Sequence, residues 1–276
     1  MDTVNRLRVA VVQSCATPDL QANLADLTKR IREAGQAGAQ LIALPEACEF
    51  LHPENAEFRR HAGAAENPAL ATMAAAAREA RAWLLVGSLS VRADAANLAN
   101  RSYLLSAEGA VHATYDKIHL FDAAVEKKES LESRIYKRGD TAVVADIGLA
   151  RIGLTVCYDL RFPHLYRALA SHGAQVLAVP SAFMKVTGEA HWHTLLRARA
   201  IETGCFVIAP AQCGSPHEGR ESYGHSLIVN PWGEVLADAG LEPGVIVADL
   251  DLAEVERARR RIASLSHNFD FKVVTV

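Results

Sequence analysis

Cys157 ends an apolar run, Arg151-Ile-Gly-Leu-Thr-Val156, and is followed at once by Tyr158-Asp-Leu-Arg-Phe-Pro163. Ile152, Leu154 and Val156 alternate as in a strand, and a proline favouring the first turn of a helix puts the thiol at a sharp strand-to-turn junction. Backbone amides converging there can hold the oxygen of a carbonyl under attack. On this segment alone a nucleophile and a core cysteine are equally well supported, because free cysteine is among the most buried residue types. Two other segments tip the balance. Leu41-Ile-Ala-Leu-Pro45 runs into Glu46, and Tyr115-Asp-Lys117-Ile-His119-Leu-Phe121 carries a lysine inside an extended stretch. Singly, each charge reads as a solvated loop residue. Together Glu46, Lys117 and Cys157 form a set at or just beyond strand ends, where open α/β sheets collect their ligands.

The chemistry of such a set is nucleophilic attack on a carbonyl carbon. A free thiol titrates at about 8.5 and needs a base or a nearby cation at neutral pH. Glu46 can be the base and Lys117 the cation. The Lys117 ammonium and the backbone N–H of Tyr158 are the candidate donors to the oxyanion. Glu46 would return its proton to the leaving group, leaving a thioester that water, activated by Glu46, hydrolyses to the acid. A lysine in place of a protease's histidine stays charged and holds the oxyanion. The competing role for Lys117 is a structural ion pair with Asp116, Asp122 or Glu46.

PEA around Glu46, YDKIHLFD around Lys117 and GLTVCYDLRFP around Cys157 resemble the three motifs of the nitrilase superfamily, the carbon–nitrogen hydrolases. The resemblance covers nearly the whole chain, through VAVVQ, PSAF at Pro180, AHW at Ala190, LLRARAIET at Leu195, SYGHS at Ser222 and NPWG at Asn230. It points to the Nit branch, closer to deaminated glutathione amidases than to omega-amidases. The implied fold is α/β: a four-layer α-β-β-α sandwich with two mixed sheets. The implied activity is hydrolysis of the terminal amide of a small carboxylated amide, deaminated glutathione, with release of ammonia. The alternatives are omega-amidase action on alpha-ketoglutaramate-like amides and a non-catalytic binding protein on the same fold. Nitrile and N-carbamoyl hydrolysis are more distant readings. No cofactor is implied. Relatives build a dimer, sometimes larger assemblies, through their outer helices and C-terminal tail, so a homo-oligomer using residues 251–276 is expected.

Relatives also carry a further glutamate after the lysine motif, commonly as E-S-x-T-x-x-P-G-D, which positions the lysine or assists the water. Aligned back from Gly139-Asp140, the match is Glu132-Ser133, with Ile135 and Arg138 departing from Thr and Pro. Glu129-Ser130 is a competing register, and a solvated charged loop between 126 and 140 is the plainer reading.

The 276 residues, half of them hydrophobic, can bury a substantial core as one domain over the full chain. A formal net charge of −3, without a basic run, gives no sign of nucleic-acid binding. The five scattered cysteines fit a reducing cytoplasmic setting. No apolar stretch of about 18 residues occurs, and the N-terminal sequence leads straight into a strand, so a soluble, unexported protein without membrane association is expected.

Strand-like runs fall at 7–13, 41–44, 83–89, 101–105, 111–115, 151–156, 176–179, 206–209, 225–229 and 244–250, alternating with helical patterns. Asp19 reads as the N-cap of a helix through Gly35, with Leu24, Leu27, Ile31 and Ala34 on one stripe. Helices are also expected after Pro68, from Pro163 to near Gly173, from His191 to Thr203, and from Asp251 with Glu254 at capping-box spacing. Ser106–Gly109 and Asn230–Gly233 read as hairpin turns.

Around the site, Asp159 and Arg161 are expected to bridge to each other and fix the elbow, with Arg161 also able to grip a substrate carboxylate bidentately. His191 and His193 have no acidic partner at zinc spacing, so no metal is assigned, and Trp192 reads as packing. Cys205 is expected in a core strand, Cys48 near the pocket as a reactive bystander, and 214–221 as a mobile loop beside the site.

Overall fold

The structure, a computed structural model, describes residues 6–62, 68–125, 128–267 and 269–276. In chain order it runs β1 (Arg6–Gln13), α1 (Leu20–Gln36), β2 (Leu41–Ala43), α2 (Asn55–His61), α3 (Pro68–Ala80), β3 (Trp83–Arg92), β4 (Leu98–Leu105) and β5 (Val111–Asp116). A hairpin follows, β6 (Asp122–Val125) and β7 (Lys128–Leu131), then β8 (Val143–Asp146), β9 (Arg151–Leu154), α4 (Pro163–Ser171), β10 (Val176–Ala178) and α5 (Lys185–Thr203). The chain ends with β11 (Phe206–Ala209), β12 (Cys213–His217), β13 (Arg220–Tyr223), β14 (Leu227–Val229), β15 (Val235–Asp238), β16 (Gly244–Asp251) and α6 (Ala253–Arg261).

Two six-stranded sheets form, ordered β16-β1-β2-β3-β4-β5 and β15-β14-β11-β10-β9-β8. Both are mixed: β1, β2 and β3 pair in parallel, as do β9, β10 and β11, with antiparallel strands on either side. The period-2 alternation of each inner strand divides its side chains between two cores. Val9 and Val11, Leu41 and Ala43, Val176 and Ala178, and Phe206 and Ile208 enter one core between the sheets. Their neighbours Ala10, Val12 and Ile42 pack under α1 and α3. Leu177, Val207 and Ala209 pack under α4 and α5. Strands buried on both faces must read as continuous apolar runs, as these do. The result is the expected α-β-β-α sandwich.

Helix starts followed local chemistry. The Asp19 carboxylate accepts from Ala22 N at 3.0 Å, capping α1, and the expected stripe is buried. Pro163 opens α4. Both expected turns join antiparallel pairs, β4–β5 and β14–β15. Other limits moved. α5 begins at Lys185, six residues before His191, with Gly188 inside it because a Cβ there would run into the Tyr223 ring. β9 ends at Leu154 and β14 starts at Leu227, since Cys157 and His225 both adopt left-handed φ, +48° and +52°. α6 starts at Ala253 without a capping box; Asp251 accepts instead from Ala253 N at 3.2 Å and Arg257 at 2.7 Å. The two small hairpins, β6–β7 and β12–β13, and the strand β8 fall outside the expected strand runs, while β15 is the return strand of the Asn230–Gly233 turn.

Candidate active site

Glu46, Lys117 and Cys157 lie on three separate connections and meet at one end of the sandwich. Glu46 follows β2, Lys117 follows β5, and Cys157 opens a short 3₁₀ turn, Cys157–Arg161, after β9. Parallel strands ending side by side bring the two sheet ends, and so these residues, to a common edge.

The Glu46 carboxylate is 4% exposed and fully engaged. One oxygen accepts from Lys117 Nζ at 2.8 Å and Asn100 Nδ2 at 3.0 Å, the other from Ala182 N at 2.9 Å. Gln212 fixes the backbone beneath it, Nε2 donating to Glu46 O at 3.0 Å. Lys117, 1% exposed, lies between Glu46 and Glu132, whose carboxylate is 2.9 Å from Nζ and also accepts from Phe121 N at 2.8 Å. This geometry favours the Glu132 register. The Glu129 side chain lies outside the described residues. Ile135 replaces a polar loop residue and packs into a small cluster with Leu98 and Tyr136.

Cys157 is held by its own peptide, N donating to Pro180 O at 2.9 Å, with φ at +48°. Ala47, directly after Glu46, also has φ +48°, and its N–H is tied to Ser88 Oγ at 3.0 Å. Left-handed non-glycine residues cost about 1–3 kcal/mol each and persist only where surroundings over-determine them. Here both the nucleophile candidate and the neighbour of the base candidate carry that strain. Tyr158 follows in the first turn, where helical N–H groups have no acceptor within the helix.

Asp159 does not bridge to Arg161. Fully buried, it accepts from Val156 N at 2.8 Å, Tyr115 OH at 2.7 Å, and His119 N and Nδ1 at 3.0 and 2.7 Å. One carboxylate thus ties the turn holding Cys157 to the strand end holding Lys117. Arg161 turns the other way, 3.3 Å from His191 Nδ1 and 5.2 Å above the Phe183 ring, on the wall of the cavity.

The electrostatics follow from burial and pairing. Burial pushes the Glu46 carboxyl up, but the Lys117 charge and hydrogen bonds from Lys117, Cys157 and Ala182 outweigh it and hold it below the usual carboxylate range. Burial alone would lower Lys117, yet Glu132 and Glu46 keep its ammonium well above the ordinary value. Burial and the Glu46 charge push the Cys157 thiol well up, against Lys117. The resting set is therefore a thiol, a carboxylate and an ammonium.

A cavity of about 410 Å³ opens over these groups. Besides Glu46 and Cys157, its lining includes Tyr158, Arg161, Phe183 and Arg220. Gly219 and Arg220 come from the β12–β13 hairpin, so the segment expected as a loop is beside the site but is built as paired strand. Cys48 is not in the lining; it is buried with Ser88 O as its sulfur's neighbour at 3.9 Å, and burial pushes its thiol well up, which removes it as a reactive bystander. Cys205 lies just ahead of β11, buried as expected. Trp192 is buried, its Nε1 donating to His225 O at 2.8 Å.

The fold supplies the acid that sequence could not find for the histidines. His193 and His225 each contact Asp238, at 3.1 and 3.0 Å, and the three ligand atoms lie within 4.8 Å of one another. Asp238 also accepts from Gly240 N at 2.8 Å, so these mutual bonds account for the cluster as a clasp on the strained His225. It stands apart from the cavity. Asn100, Ala182 and Gln212 were missed as site residues, whereas Asp159 was expected at the elbow with Arg161 as its partner and holds it through Val156, Tyr115 and His119 instead. Asn100 stands beside Arg101 and Ser102 in β4, so its polarity did not single it out.

Comparison with known proteins agrees with this geometry. Deaminated glutathione amidase from Homo sapiens is 42% identical over 267 residues, spanning 94% of this chain and 81% of that protein. Nit3 of Saccharomyces cerevisiae, described as a member of branch 10 of the nitrilase superfamily, superposes with a TM-score of 0.84 at 28% identity, over 93% of this chain and 94% of that one. A Glu-to-Gln variant of an amidase from Nesterenkonia sp. gives a TM-score of 0.80 at 29% identity, over 95% and 97%, and shows covalent addition of the acetamide moiety of fluoroacetamide at its active-site cysteine. Residues 8–260 match the family described as carbon–nitrogen hydrolase. Since that match runs through both sheets and all three motif strands, the chain belongs to the carbon–nitrogen hydrolase family, as its resemblance to the nitrilase superfamily implied.

Proposed function

We propose that the protein is an amidase that cleaves deaminated glutathione through a thioester on Cys157, with Glu46 as base and acid and Lys117 as oxyanion cation. The observation that carries the reading is the strained Cys157 elbow beside a buried carboxylate–ammonium pair at the base of the cavity. The relatives named for that substrate support the choice of acyl group.

The raised thiol and lowered carboxyl give the order of events. Sγ attacks the amide carbon as its proton passes to Glu46, because a free thiolate beside Glu46 is disfavoured. Protonating Glu46 removes the negative charge that Lys117 was pairing, so its ammonium is released to the new oxyanion just when that charge forms. The Tyr158 N–H is the second donor. Glu46 gives its proton to the departing nitrogen, then takes one from the water that opens the thioester. Glu132 keeps Lys117 charged and in position throughout.

Both amides of deaminated glutathione are secondary, so the leaving group is a peptide amine and not the ammonia expected from the sequence for this substrate. Release of ammonia belongs to a primary amide such as alpha-ketoglutaramate, the omega-amidase alternative. Rates of peptide-amine release from the first and ammonia release from the second therefore separate the two readings. We expect higher kcat/KM on deaminated glutathione, an acyl adduct on Cys157 by mass spectrometry, and no turnover by Cys157→Ala. Equal or better efficiency on the short amide would transfer the reading to omega-amidase. Identical zero rates for wild type and Cys157→Ala over a broad amide panel would leave a binding protein.

The chain functions in this reading as one domain in a cytoplasmic homodimer. Among the described residues no helix is long and apolar enough to cross a membrane. Phe269 and Phe271 in the C-terminal tail are 79% and 85% exposed, which supports their use in contacts between subunits.

A further inference from the structure

Three guanidinium groups that the mechanism does not use line the cavity, Arg134, Arg161 and Arg220; Arg134 is exposed, and Arg220 is the one with a buried N–H left without an acceptor. Its NH2 donates to Ala182 O at 3.2 Å, while its Nε is buried with no acceptor. Among the described residues no carboxylate lies within ion-pair distance of it, and its neighbour Glu221 pairs with Lys185 at 3.1 Å instead. A guanidinium cannot shed its charge, and a buried N–H without an acceptor costs free energy comparable to a lost hydrogen bond. Arg161 is engaged by Phe183 and His191. The position of Arg220 is also informative. The same residue, Ala182, donates its N–H to Glu46 and accepts from Arg220 with its carbonyl. Glu46 is the group that gives its proton to the departing nitrogen in the amidase reading, and its link to Arg220 through Ala182 supports a role for Arg220 toward the leaving group, with Arg161, on the turn of Cys157, toward the acyl half.

We propose that Arg220 is a specificity-determining residue that grips the carboxylate of the departing fragment, so that the site prefers amides whose amine half ends in an acid. This rests on the amidase reading above and sharpens it. Deaminated glutathione has such an end, the glycine carboxylate, whereas a short primary amide loses only ammonia and gives Arg220 nothing to hold. A planar fork with two outward N–H groups suits a carboxylate bidentately.

The test compares deaminated glutathione with its form amidated at the glycine carboxyl, using wild type, Arg220→Gln and Arg220→Lys, with peptide-amine release as the readout. For wild type, amidation is expected to lower kcat/KM about 10–100-fold, mainly through KM, the size of a lost charge-assisted hydrogen bond. Arg220→Gln is expected to lose the same factor on the free acid and nothing further on the amidated form. Arg220→Lys, which keeps the charge and can keep the Ala182 contact, is expected to regain part of it. Equal losses on both compounds, or a loss in kcat alone, would make Arg220 a structural pin for the hairpin and overturn the proposal. A wild type that cleaves both compounds equally well would also overturn it while leaving the amidase reading intact. Failure of wild type to cleave either would overturn the substrate reading, and the proposal with it.

Discussion

Three ionisable groups set the behaviour of the site, and their shifts can be measured together. Glu46 titrates below the ordinary carboxylate, held there by Lys117 and Ala182 against burial, while Lys117 titrates above the ordinary lysine. The plateau of kcat/KM is therefore expected to extend on the acid side below about pH 4.3, the unperturbed glutamate value. A pH–rate profile with its acid limb near or above neutrality would contradict the Glu46 assignment. In Glu132→Gln we expect a lower plateau with the acid limb little moved, because Lys117 and Ala182 still hold Glu46. Stability follows the same sign. The folded-state carboxyl of Glu46 is depressed, so its stabilising contribution is present above the unfolded value and is lost as pH falls through the folded one. Lys117 contributes below its unfolded value of about 10.4 and loses that contribution as pH rises through its higher folded one.

At the scale of elements, the strand ends are packed so tightly that the site has little freedom. Gly87 in β3 lies where a Cβ would run into the carbonyl oxygens of Leu44 and Pro45 and into the Pro180 ring. Those are the residues just before Glu46 and the one whose carbonyl anchors Cys157 N. Gly87→Ala is expected to lower stability by about 1–3 kcal/mol, the usual cost of overpacking, and to lower activity because the strand ends carrying Glu46 and anchoring Cys157 must shift. A chemical-denaturation midpoint and a rate on the same sample check this, and an unchanged rate would mean the shift is absorbed elsewhere. These elements differed in how legible they were. The inner strands showed themselves as apolar runs, and α1 and α4 announced their starts through Asp19 and Pro163. The β6–β7 and β12–β13 hairpins did not, because neither is written as a continuous apolar run: Asp122, Lys128, Glu129 and Ser130 in one, and Gly214, Ser215, Arg220 and Glu221 in the other, read like loop residues.

For the molecule as a whole, the exposed apolar tail is the feature a lone chain does not explain. Phe269, Phe271, Val273 and Val274 are all at least 76% exposed. A variant shortened after His267 is expected to sediment as a smaller species than the full chain, and identical sedimentation would remove the tail from subunit contacts. The amino-acid sequence by itself determined the class of fold, because period-2 alternation within apolar runs and the caps of α1 and α4 are local properties. It also singled out Glu46, Lys117 and Cys157 as the candidate set, because each motif is written on consecutive residues. Tertiary structure decided the partners of those residues. Asn100, Ala182 and Gln212 reach Glu46 from distant strands and connections, Asp159 turns to Tyr115 and His119 instead of Arg161, and Asp238 closes on His193 and His225. These contacts depend on how two sheets superpose their ends, a geometry fixed by packing across the sandwich, which no span of neighbouring residues encodes.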